Sequence, residues 1–372
     1  MPDEAVAAPP TDQAGEREEI EWPAVPPQWR VDLPTGNLEA KPAVSALRQV
    51  DSSVTSGHLY PFQPIPTGFS ALDRRMQGGL RPGELVLIGG SQGIGKTALA
   101  LQMARNVALA DQATCLYVCY EHDEASLLER LIAQESINPR LEDYQPGLRT
   151  RDIENLIVEG YRRKGTGVFD SLRVDARGER ALRRISTYAD RLFLLKASGV
   201  YTTTEVLRRL VGDFRARSDG RLVMFVDYLQ RLPVHPVSPN EDERVTRIVE
   251  DLKETALSHD ITVVAIAAAD KEGLQSKRLR LYHLRGSSAL TYEADIILIM
   301  NEKYRIVTKT SIEFNVHRAQ VFRDWVVVSV EKNRSGRAQI DVEFKQRFEH
   351  CCFNPQGRDV QEQLVDERIF IE

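Results

Sequence analysis

An apolar run leads into a glycine-rich turn at residues 85–97, which read LVLIGGSQGIGKT. The turn matches the phosphate-loop pattern G-x-x-x-x-G-K-[ST], and its members are Gly90, Ser91, Gln92, Gly93, Ile94, Gly95, Lys96 and Thr97. Glycines let backbone N–H groups curl around phosphate oxygens, and the helix that follows points its positive end at the anion. Lys96 is placed to reach the outer phosphates, and Thr97 offers a hydroxyl to Mg²⁺. The pattern therefore predicts a site for a nucleoside triphosphate with Mg²⁺.

The sequence around this turn alternates apolar runs of strand length with helical segments. The predicted strands are Leu85 to Ile88, Leu116 to Tyr120, Leu192 to Leu195, Leu222 to Val226, Ile261 to Ala267 and Ile296 to Met300. Their apolarity is continuous rather than alternating, which indicates strands that are buried on both faces. Strands that alternate with helices favour an α/β fold with a mostly parallel central sheet flanked by helices.

Three further patterns locate two helices and a hairpin. Apolar residues between 245 and 257 recur with helical spacing and predict an amphipathic helix. Thr202 and Glu205 have the spacing of a capping box ahead of another helix. Two apolar runs, at residues 325–330 and 340–344, flank a Ser-Gly-Arg turn, which predicts an antiparallel hairpin near the C-terminus.

Two acidic residues follow predicted strands and are candidates for the chemistry of the site. Asp227 closes a run of five apolar residues, where a solvated loop acid is not expected, so it is the candidate for the metal side, through water. Glu121 ends the strand that follows the phosphate-loop helix, and ligands bind at that edge of open α/β sheets. We predict that Glu121 activates or orients the attacking water. The alternative is that Glu121 belongs to a solvated helix start.

Composition excludes several classes of protein. The 372 residues are 42% hydrophobic and 28% charged, a balance typical of soluble globular proteins. No apolar run approaches the roughly 18–20 residues of a membrane span, and the N-terminus lacks the features of a secretory signal. The four cysteines are Cys115, Cys119, Cys351 and Cys352. They show neither paired zinc spacing nor the density of a disulfide scaffold, which favours thiols in a reducing cytoplasm.

The N-terminal segment differs from the rest of the chain. Residues 1–40 hold nine acids against two bases and seven of the 18 prolines, which leaves the remaining 332 residues with a net charge of +2. Residues 1–60 have few clustered apolar side chains, so we expect a mostly disordered acidic, proline-rich tail and linker. Val44, Leu47 and Val50 are spaced for one or two helical turns and predict a transient helix there.

Several motifs together resemble the C-terminal motor domain of DnaB-type replicative helicases. Besides the phosphate loop they are PTGFSALD at 66–73, GGLRPGE at 78–84, DYLQ at 227–230, EAD at 293–295 and KNRSG at 332–336. The DYLQ and KNRSG elements distinguish this family within the RecA-like superfamily. The resemblance implies a RecA-like core, a hexameric ring of copies, ATP bound between subunits and single-stranded DNA in a central channel.

The resemblance also divides the chain. We expect a RecA-like ATPase motor domain at residues 61–350 and a short C-terminal extension at residues 351–372. Replicative helicases of this family carry a helical N-terminal domain, which about 60 mostly disordered residues cannot form. We therefore expect an accessory or mobile-element helicase rather than a standard replicative one.

Two cations match the residues that this family extends toward a neighbouring subunit. Arg334 matches the arginine finger and Lys332 its companion, and the resemblance implies that both reach the neighbour's γ-phosphate. A cation supplied by another copy would neutralise the charge of the transition state. The alternative for Arg334, judged from its place near the tip of a predicted hairpin, is an ordinary solvated side chain.

The candidate DNA contacts lie between Asp270 and Leu290. Four basic residues in this segment are predicted to track DNA phosphates without reading bases, and they are Lys277, Arg278, Arg280 and Arg285. Arg285 falls at the basic loop position of the family, but Gly286 stands in place of an acid. A solvated charged loop is the alternative.

A second departure from the family concerns Ala268. The family ends this strand with a polar sensor, usually Gln, whereas an alanine side chain neither donates nor accepts a hydrogen bond. Coupling between hydrolysis and DNA movement is therefore expected to be weak, or rerouted through Asp270 or Lys271.

Two functions follow from these observations. The first is an ATP-hydrolysing DNA helicase or translocase that acts as a ring on single-stranded DNA. The second is an ATPase related to RecA, KaiC or RadA that serves as a regulatory or assembly switch and does not unwind DNA.

Overall fold

The structure is a computed structural model that describes residues 29–33, 36–138, 146–218, 220–236, 238–307, 321–361 and 364. Two compact units make up the chain, Met1–Tyr60 and Pro61–Glu372. Within the described residues, no helix has both the length and the apolarity that crossing a membrane requires.

The first unit contains regular structure where the sequence predicted mostly disorder. Strands β1 (Trp29–Leu33) and β2 (Gly36–Ala40) form an antiparallel pair. Helix α1 (Ala43–Thr55) is longer than the one or two turns expected from Val44, Leu47 and Val50. Residues 1–28 of the predicted acidic tail lie outside the described residues.

The second unit is built on one large sheet. Its strands are β3 (Leu85–Gly90), β4 (Thr114–Cys119), β5 (Leu192–Lys196), β6 (Leu222–Asp227), β7 (Thr262–Ala268), β8 (Ile296–Glu302), β9 (Trp325–Asn333), β10 (Ile340–Arg347), β11 (Cys352–Phe353) and β12 (Arg358–Asp359). Their order across the sheet is β11-β10-β9-β8-β3-β7-β6-β4-β5, and β12 also pairs with β10. All six strands predicted for the central sheet are present, and the mostly parallel α/β fold is confirmed.

The helices complete the second unit. They are α2 (Ser70–Arg75), α3 (Lys96–Leu109), α4 (Glu124–Glu135), α5 (Thr150–Lys164), α6 (Val168–Arg173), α7 (Ala176–Ile185), α8 (Thr204–Arg217), α9 (Glu241–Ser258), α10 (Lys271–Gln275), α11 (Ser287–Glu293) and α12 (Lys303–Ile306). Two apolar cores lie on opposite faces of the sheet, one containing α3 and the other α8 and α9. Since both faces are covered, the central strands are apolar on both sides, as their sequences predicted.

β9 runs antiparallel to both of its neighbours, β8 and β10. β9 pairs with both β8 and β10, which confirms the predicted C-terminal hairpin. β11 and β12, which fall in the predicted C-terminal extension, also pair with β10. Residues 365–372 of that extension lie outside the described residues.

The capping residue of α8 is one position later than predicted. Thr203 caps this helix, because its side chain accepts a hydrogen bond from the N–H of Val206 at 3.3 Å. The hydroxyl oxygen of Thr202 instead accepts from the N–H of Ser198 at 2.9 Å, within the preceding loop. The predicted capping box of Thr202 and Glu205 is therefore wrong, although the helix is present.

Candidate nucleotide-binding site

The phosphate-loop residues form a tight turn between β3 and α3. β3 ends at Gly90 and α3 begins at Lys96, so the turn lies at the carboxyl end of a central parallel strand. Gly93 and Gly95 have positive φ values of 79° and 94°, which L side chains rarely adopt. A Cβ on Gly95 would also lie 2.7 Å from the Phe348 ring. Glycine is thus required at position 95, and the N-terminus of α3 points toward the cleft.

Lys96 is held over the turn. Its ammonium donates hydrogen bonds to the carbonyl oxygens of Gly90 at 2.9 Å and Ser91 at 2.8 Å. Burial lowers the pKa of Lys96, and the charges of Asp227 and Glu121 oppose that shift. The lysine is therefore a partly desolvated cation beside two carboxylates, an arrangement suited to binding phosphate oxygens.

The cleft beside this turn has a volume of about 580 Å³. Its lining brings together the functional side chains that the sequence had singled out on three different elements, namely Lys96, Thr97, Glu121 and Asp227. β4 and β6 are adjacent parallel strands, so the acids that follow or close them meet at one edge of the sheet. The predicted juxtaposition of Glu121 and Asp227 beside one phosphate loop is present in the structure.

Asp227 is almost fully buried, at 2% exposure. The hydroxyl of Tyr117 donates to its Oδ2 at 3.0 Å, and its carboxylate also accepts a hydrogen bond from the Thr97 side chain. Burial raises the pKa of Asp227, and these hydrogen bonds oppose the shift. Tyr117 thus fixes the orientation of a carboxylate whose charged form is disfavoured by burial.

Thr97 and Asp227 fit the requirements of a nucleotide-bound Mg²⁺. Mg²⁺ prefers oxygen ligands and usually binds through one or two protein groups together with substrate phosphates and water. The Thr97 hydroxyl and the Asp227 carboxylate are already in hydrogen-bond contact at the cleft. Among the described residues, no group of three or more His, Cys, Asp or Glu side chains forms a self-contained metal site. The pair of oxygens from Thr97 and Asp227 suits a metal that is held jointly with phosphate.

The structure adds two basic side chains to the cleft that sequence reasoning missed, Arg130 and His122. Both line the cleft, and Arg130 Nη2 lies 3.1 Å from His122 Nε2. A guanidinium has no acceptor atom, so the imidazole Nε2 must accept this hydrogen bond. Arg130 is on α4, two turns beyond the strand end that carries Glu121, and no pattern in the sequence signals that α4 directs it back toward the phosphate loop.

Arg334 and Lys332 are at the opposite edge of the sheet. Arg334 Nη1 donates to Asp295 Oδ1 at 3.1 Å, and its backbone N–H donates to the Asp295 carbonyl at 2.9 Å. The Lys332 ammonium donates to the carbonyl oxygens of Thr291 and Tyr292. Burial, followed by the charge of Arg334, lowers the pKa of Lys332. The two cations form one cluster at the end of β9.

The length of β3 separates this cluster from the phosphate loop of the same chain. The N–H of Asp295 donates to the carbonyl of Leu85, the first residue of β3, whereas the phosphate loop begins at its last residue, Gly90. Five residue steps of strand correspond to roughly 16 Å. Arg334 is half exposed, so its guanidinium faces outward rather than toward the phosphate loop of its own chain.

The four predicted DNA contacts have different surroundings. Arg278 is 4% exposed and donates to Asp341 at 2.7 Å. Arg280 pairs with Glu331 at 2.6 Å, with both side chains largely buried. These two arginines hold their segment against β9 and β10 instead of presenting charge at the surface. Lys277 and Arg285 are exposed, and Arg285 pairs with Glu241 at 2.8 Å. Of the four predicted DNA contacts, only these two present their charge at the surface.

A phosphate loop between a central parallel strand and a helix, with acids from neighbouring strands beside it, defines a RecA-like nucleotide-binding domain of the P-loop class. The chain belongs to the family described as DnaB-like helicase C terminal domain, which matches residues 64–352. The resemblance inferred from the sequence motifs is confirmed.

Curated relatives extend beyond the region that this chain shares with them. The chain is 27% identical over 241 residues to the replicative DNA helicase DnaB of Treponema pallidum, a match that covers 64% of this chain and 48% of the relative. It is 26% identical over 242 residues to a probable plasmid replicative DNA helicase of Chlamydia psittaci, covering 64% and 46% respectively. The chain therefore spans about half the length of the curated relatives it matches.

Solved structures support the fold. A solved structure described as an ATPase domain superposes with a TM-score of 0.62 at 22% identity, covering 84% of this chain and 98% of that domain. A DnaB-like replicative helicase, whose structure was described with its primase interactions, gives a TM-score of 0.60 at 21% identity, covering 85% and 67% respectively. At these identities the likeness establishes the RecA-like fold.

Proposed function

We propose that this chain is an ATP-hydrolysing DNA motor that acts on single-stranded DNA as a ring of copies, hexameric as the family resemblance implies. The observation that carries the proposal is the position of Arg334 at the sheet edge opposite the phosphate loop. A cation in that position serves an ATP site only if a second copy presents its own phosphate loop to it. Assembly and hydrolysis would then depend on each other.

Each cleft residue has a distinct role in the proposal. Lys96 and the backbone N–H groups of the phosphate loop bind the phosphates, and Glu121 orients or deprotonates the attacking water. Thr97 and Asp227 would hold Mg²⁺, which when bound neutralises phosphate charge. Tyr117 keeps the Asp227 carboxylate in its orientation through their 3.0 Å hydrogen bond.

The proposed DNA contact is electrostatic and rests on fewer cations than the sequence suggested. Lys277 and Arg285 are exposed on the same segment as Tyr282, whose side chain is 51% exposed and can stack on a base. Arg278 and Arg280 support this segment from within through their ion pairs. Binding should therefore be weakly sequence-selective and strongly salt-dependent.

The test measures ATP hydrolysis with and without single-stranded oligothymidine for the wild type, Lys96→Ala and Glu121→Gln. We expect DNA to stimulate the wild type and Lys96→Ala to remove turnover under both conditions. Glu121→Gln should still bind ATP but lose roughly 10²–10⁴-fold in turnover, since it keeps the shape of the side chain without the basic oxygen.

Two results would change the proposal. Retained hydrolysis in Lys96→Ala would remove the assignment of the nucleotide site. Hydrolysis by an assembled ring that neither binds DNA nor responds to it would instead support the ATP-dependent regulatory or assembly switch.

A further inference from the structure

Residues 271–285, which include the exposed Lys277 and Arg285, are called the basic segment. A short antiparallel ladder at the end of β7 joins this segment to the cleft. The N–H of Asp270 donates to the carbonyl of His283 at 2.9 Å, and the N–H of Arg285 donates to the carbonyl of Ala268 at 3.0 Å. Ala269 and Leu284 form an isolated antiparallel bridge between them. Residues 268–270 and 283–285 are thus paired through their backbones.

Gln230 is inserted into the last pair of this ladder. The N–H of Ala268 donates to Gln230 Oε1 at 3.0 Å, and Gln230 Nε2 donates to the carbonyl of Arg285 at 3.3 Å. With the hydrogen bond from Arg285 to Ala268, these contacts close a ring of three hydrogen bonds. The ring ties together the turn after β6, the end of β7 and the basic segment.

A carboxamide suits this position. Its oxygen accepts and its NH₂ group donates, so one side-chain group bonds the N–H of Ala268 and the carbonyl of Arg285, and Asn has one fewer methylene with which to reach both partners. Glu can accept from Ala268 but, when ionised, cannot donate to the Arg285 carbonyl. Gln230 follows Asp227 by three residues, so its backbone is fixed by the strand that carries the buried acid of the cleft.

The two ends of the link face different parts of the molecule. Ala268 lines the nucleotide cleft and is paired across β3 and β7 with Gly90, the first residue of the phosphate loop. Arg285 carries one of the exposed cations of the basic segment. Because Ala268 has no polar side chain, its contact with the basic segment runs through its peptide groups and the carboxamide of Gln230.

We infer that Gln230 is a positioning residue that couples the nucleotide state of the cleft to the DNA-binding strength of the segment around Arg285. The inference rests on the proposed function, because it assumes that this segment binds DNA. A displacement of the β7 end by nucleotide would be transmitted to Arg285 through three hydrogen bonds. By thermodynamic reciprocity, the same link would let DNA change nucleotide affinity.

The experiment compares full-length wild type with Gln230→Met, which keeps the length and removes both hydrogen bonds, and Gln230→Glu, which keeps the acceptor alone. Gln275→Met is the matched control, since Gln275 is exposed on the same basic segment. The readout is the ratio of oligothymidine affinities measured with a non-hydrolysable ATP analogue and with ADP. Melting temperature and ATP turnover without DNA are measured for every variant.

We expect Gln230→Met to reduce this affinity ratio at least about fivefold, the lower range of allosteric coupling, while turnover without DNA stays within about twofold of the wild type. Gln230→Glu should also lose coupling, and Gln275→Met should keep the wild-type ratio. A simple structural defect would lower turnover and melting temperature without this selective loss.

The wild-type arm separates the two proposals. If wild type does not bind oligothymidine in either nucleotide state, the DNA motor proposal fails, and this inference with it. If wild type shows a nucleotide-dependent affinity that a folded Gln230→Met or Gln230→Glu retains, only the role of Gln230 is overturned. Should Gln230→Met fail to fold, Gln230→Glu decides the outcome by the same criterion.

Discussion

The two edges of the parallel sheet carry different parts of the chemistry. At the carboxyl edge, Lys96, Glu121 and Asp227 surround one cleft, and a single chain supplies all of them. At the amino edge, Arg334 and Lys332 gather around Asp295 and the residues just before it, one strand length away. The first edge holds, within one chain, all the groups of the proposed nucleotide site. The cations of the second edge lie away from the phosphate loop of their own chain.

Asp295 explains how the amino edge keeps Arg334 in place. Its carboxylate accepts hydrogen bonds from the N–H of Leu85 and the ammonium of Lys253, each at 2.7 Å, and from Arg334 at 3.1 Å. It is 6% exposed, so these charge-assisted hydrogen bonds are poorly screened. Arg334 is thereby oriented before any partner arrives, which lowers the entropy cost of placing it in a neighbouring site.

The strongest test of this comparison separates the two edges onto different copies. Arg334→Ala should bind ATP normally but lose roughly 10³-fold or more in turnover, as expected for an arginine finger supplied by another subunit. Mixing it with Lys96→Ala should restore part of the turnover, because the Lys96→Ala copy still presents Arg334. Turnover of the mixture and of each variant alone is measured at equal protein concentration.

Arg337→Ala is the matched control, since Arg337 is exposed on the same hairpin turn. It should hydrolyse ATP at close to the wild-type rate. An Arg334→Ala variant that keeps full turnover, or a mixture no more active than its parts, would show that the amino edge does not act in a neighbouring site.

The carboxyl edge was the more predictable of the two from sequence. Its phosphate loop is contiguous, and each acid ends an apolar run whose strand character is unambiguous, so parallel pairing alone brings Glu121 and Asp227 together. Arg130 was missed because its approach depends on the direction of α4, which local sequence does not encode, whereas His122 lies beside Glu121 in the loop before that helix. The family resemblance, rather than any periodicity, singled out Arg334.

The basic segment shows why charge alone is a poor guide to surface contacts. In the sequence Arg278 and Arg280 cannot be distinguished from Lys277, because their partners Asp341 and Glu331 lie on strands more than 50 residues away. Likewise, Thr202 and Thr203 are both acceptable helix caps, and only the contact of Thr202 with Ser198 in the loop before α8 decides between them. Tertiary partners, not local pattern, set these outcomes.

A second prediction concerns the cost of the carboxyl edge. Burial raises the pKa of Asp227, so in the nucleotide-free protein its charged form is less favourable than in the unfolded chain. Asp227→Asn should therefore lose turnover, yet its melting temperature at neutral pH should be a few degrees higher than that of the wild type. For domains of 150–250 residues, 1 kcal/mol of stability corresponds to about 2–4 °C. Thermal denaturation without Mg²⁺ or nucleotide measures the difference.

The sign of this effect can be checked with pH. A raised pKa in the folded state means that folding takes up a proton, so wild-type stability should rise as pH falls through that pKa. The advantage of Asp227→Asn should then shrink. Asp213→Asn, at an exposed aspartate, should leave the melting temperature unchanged at every pH. A lower melting temperature for Asp227→Asn at neutral pH would mean that the ionised carboxylate stabilises the empty site.

The smallest predicted effect concerns Lys332 at the amino edge. Burial and the neighbouring Arg334 lower its pKa. Its ammonium should therefore lose its proton at a lower pH than an ordinary lysine, whose pKa is about 10.4. Lys332→Arg keeps a cation at every accessible pH, although it does not preserve the point-charge geometry. If this cation assists hydrolysis in the neighbouring copy, the alkaline decline of turnover should move to higher pH in the variant. On that alkaline limb, the loss of turnover should be roughly twofold to fivefold smaller in the variant than in the wild type.

The comparison of pH profiles separates the titration of Lys332 from that of Lys96. Burial also lowers the pKa of Lys96, but Lys96 is present in both proteins, so its titration contributes equally to both profiles. Lys164→Arg, at an exposed lysine of α5, should reproduce the wild-type profile. Identical alkaline limbs for wild type and Lys332→Arg would restrict the contribution of the amino edge to Arg334, and Lys332 would then serve only to bind the carbonyl oxygens of Thr291 and Tyr292.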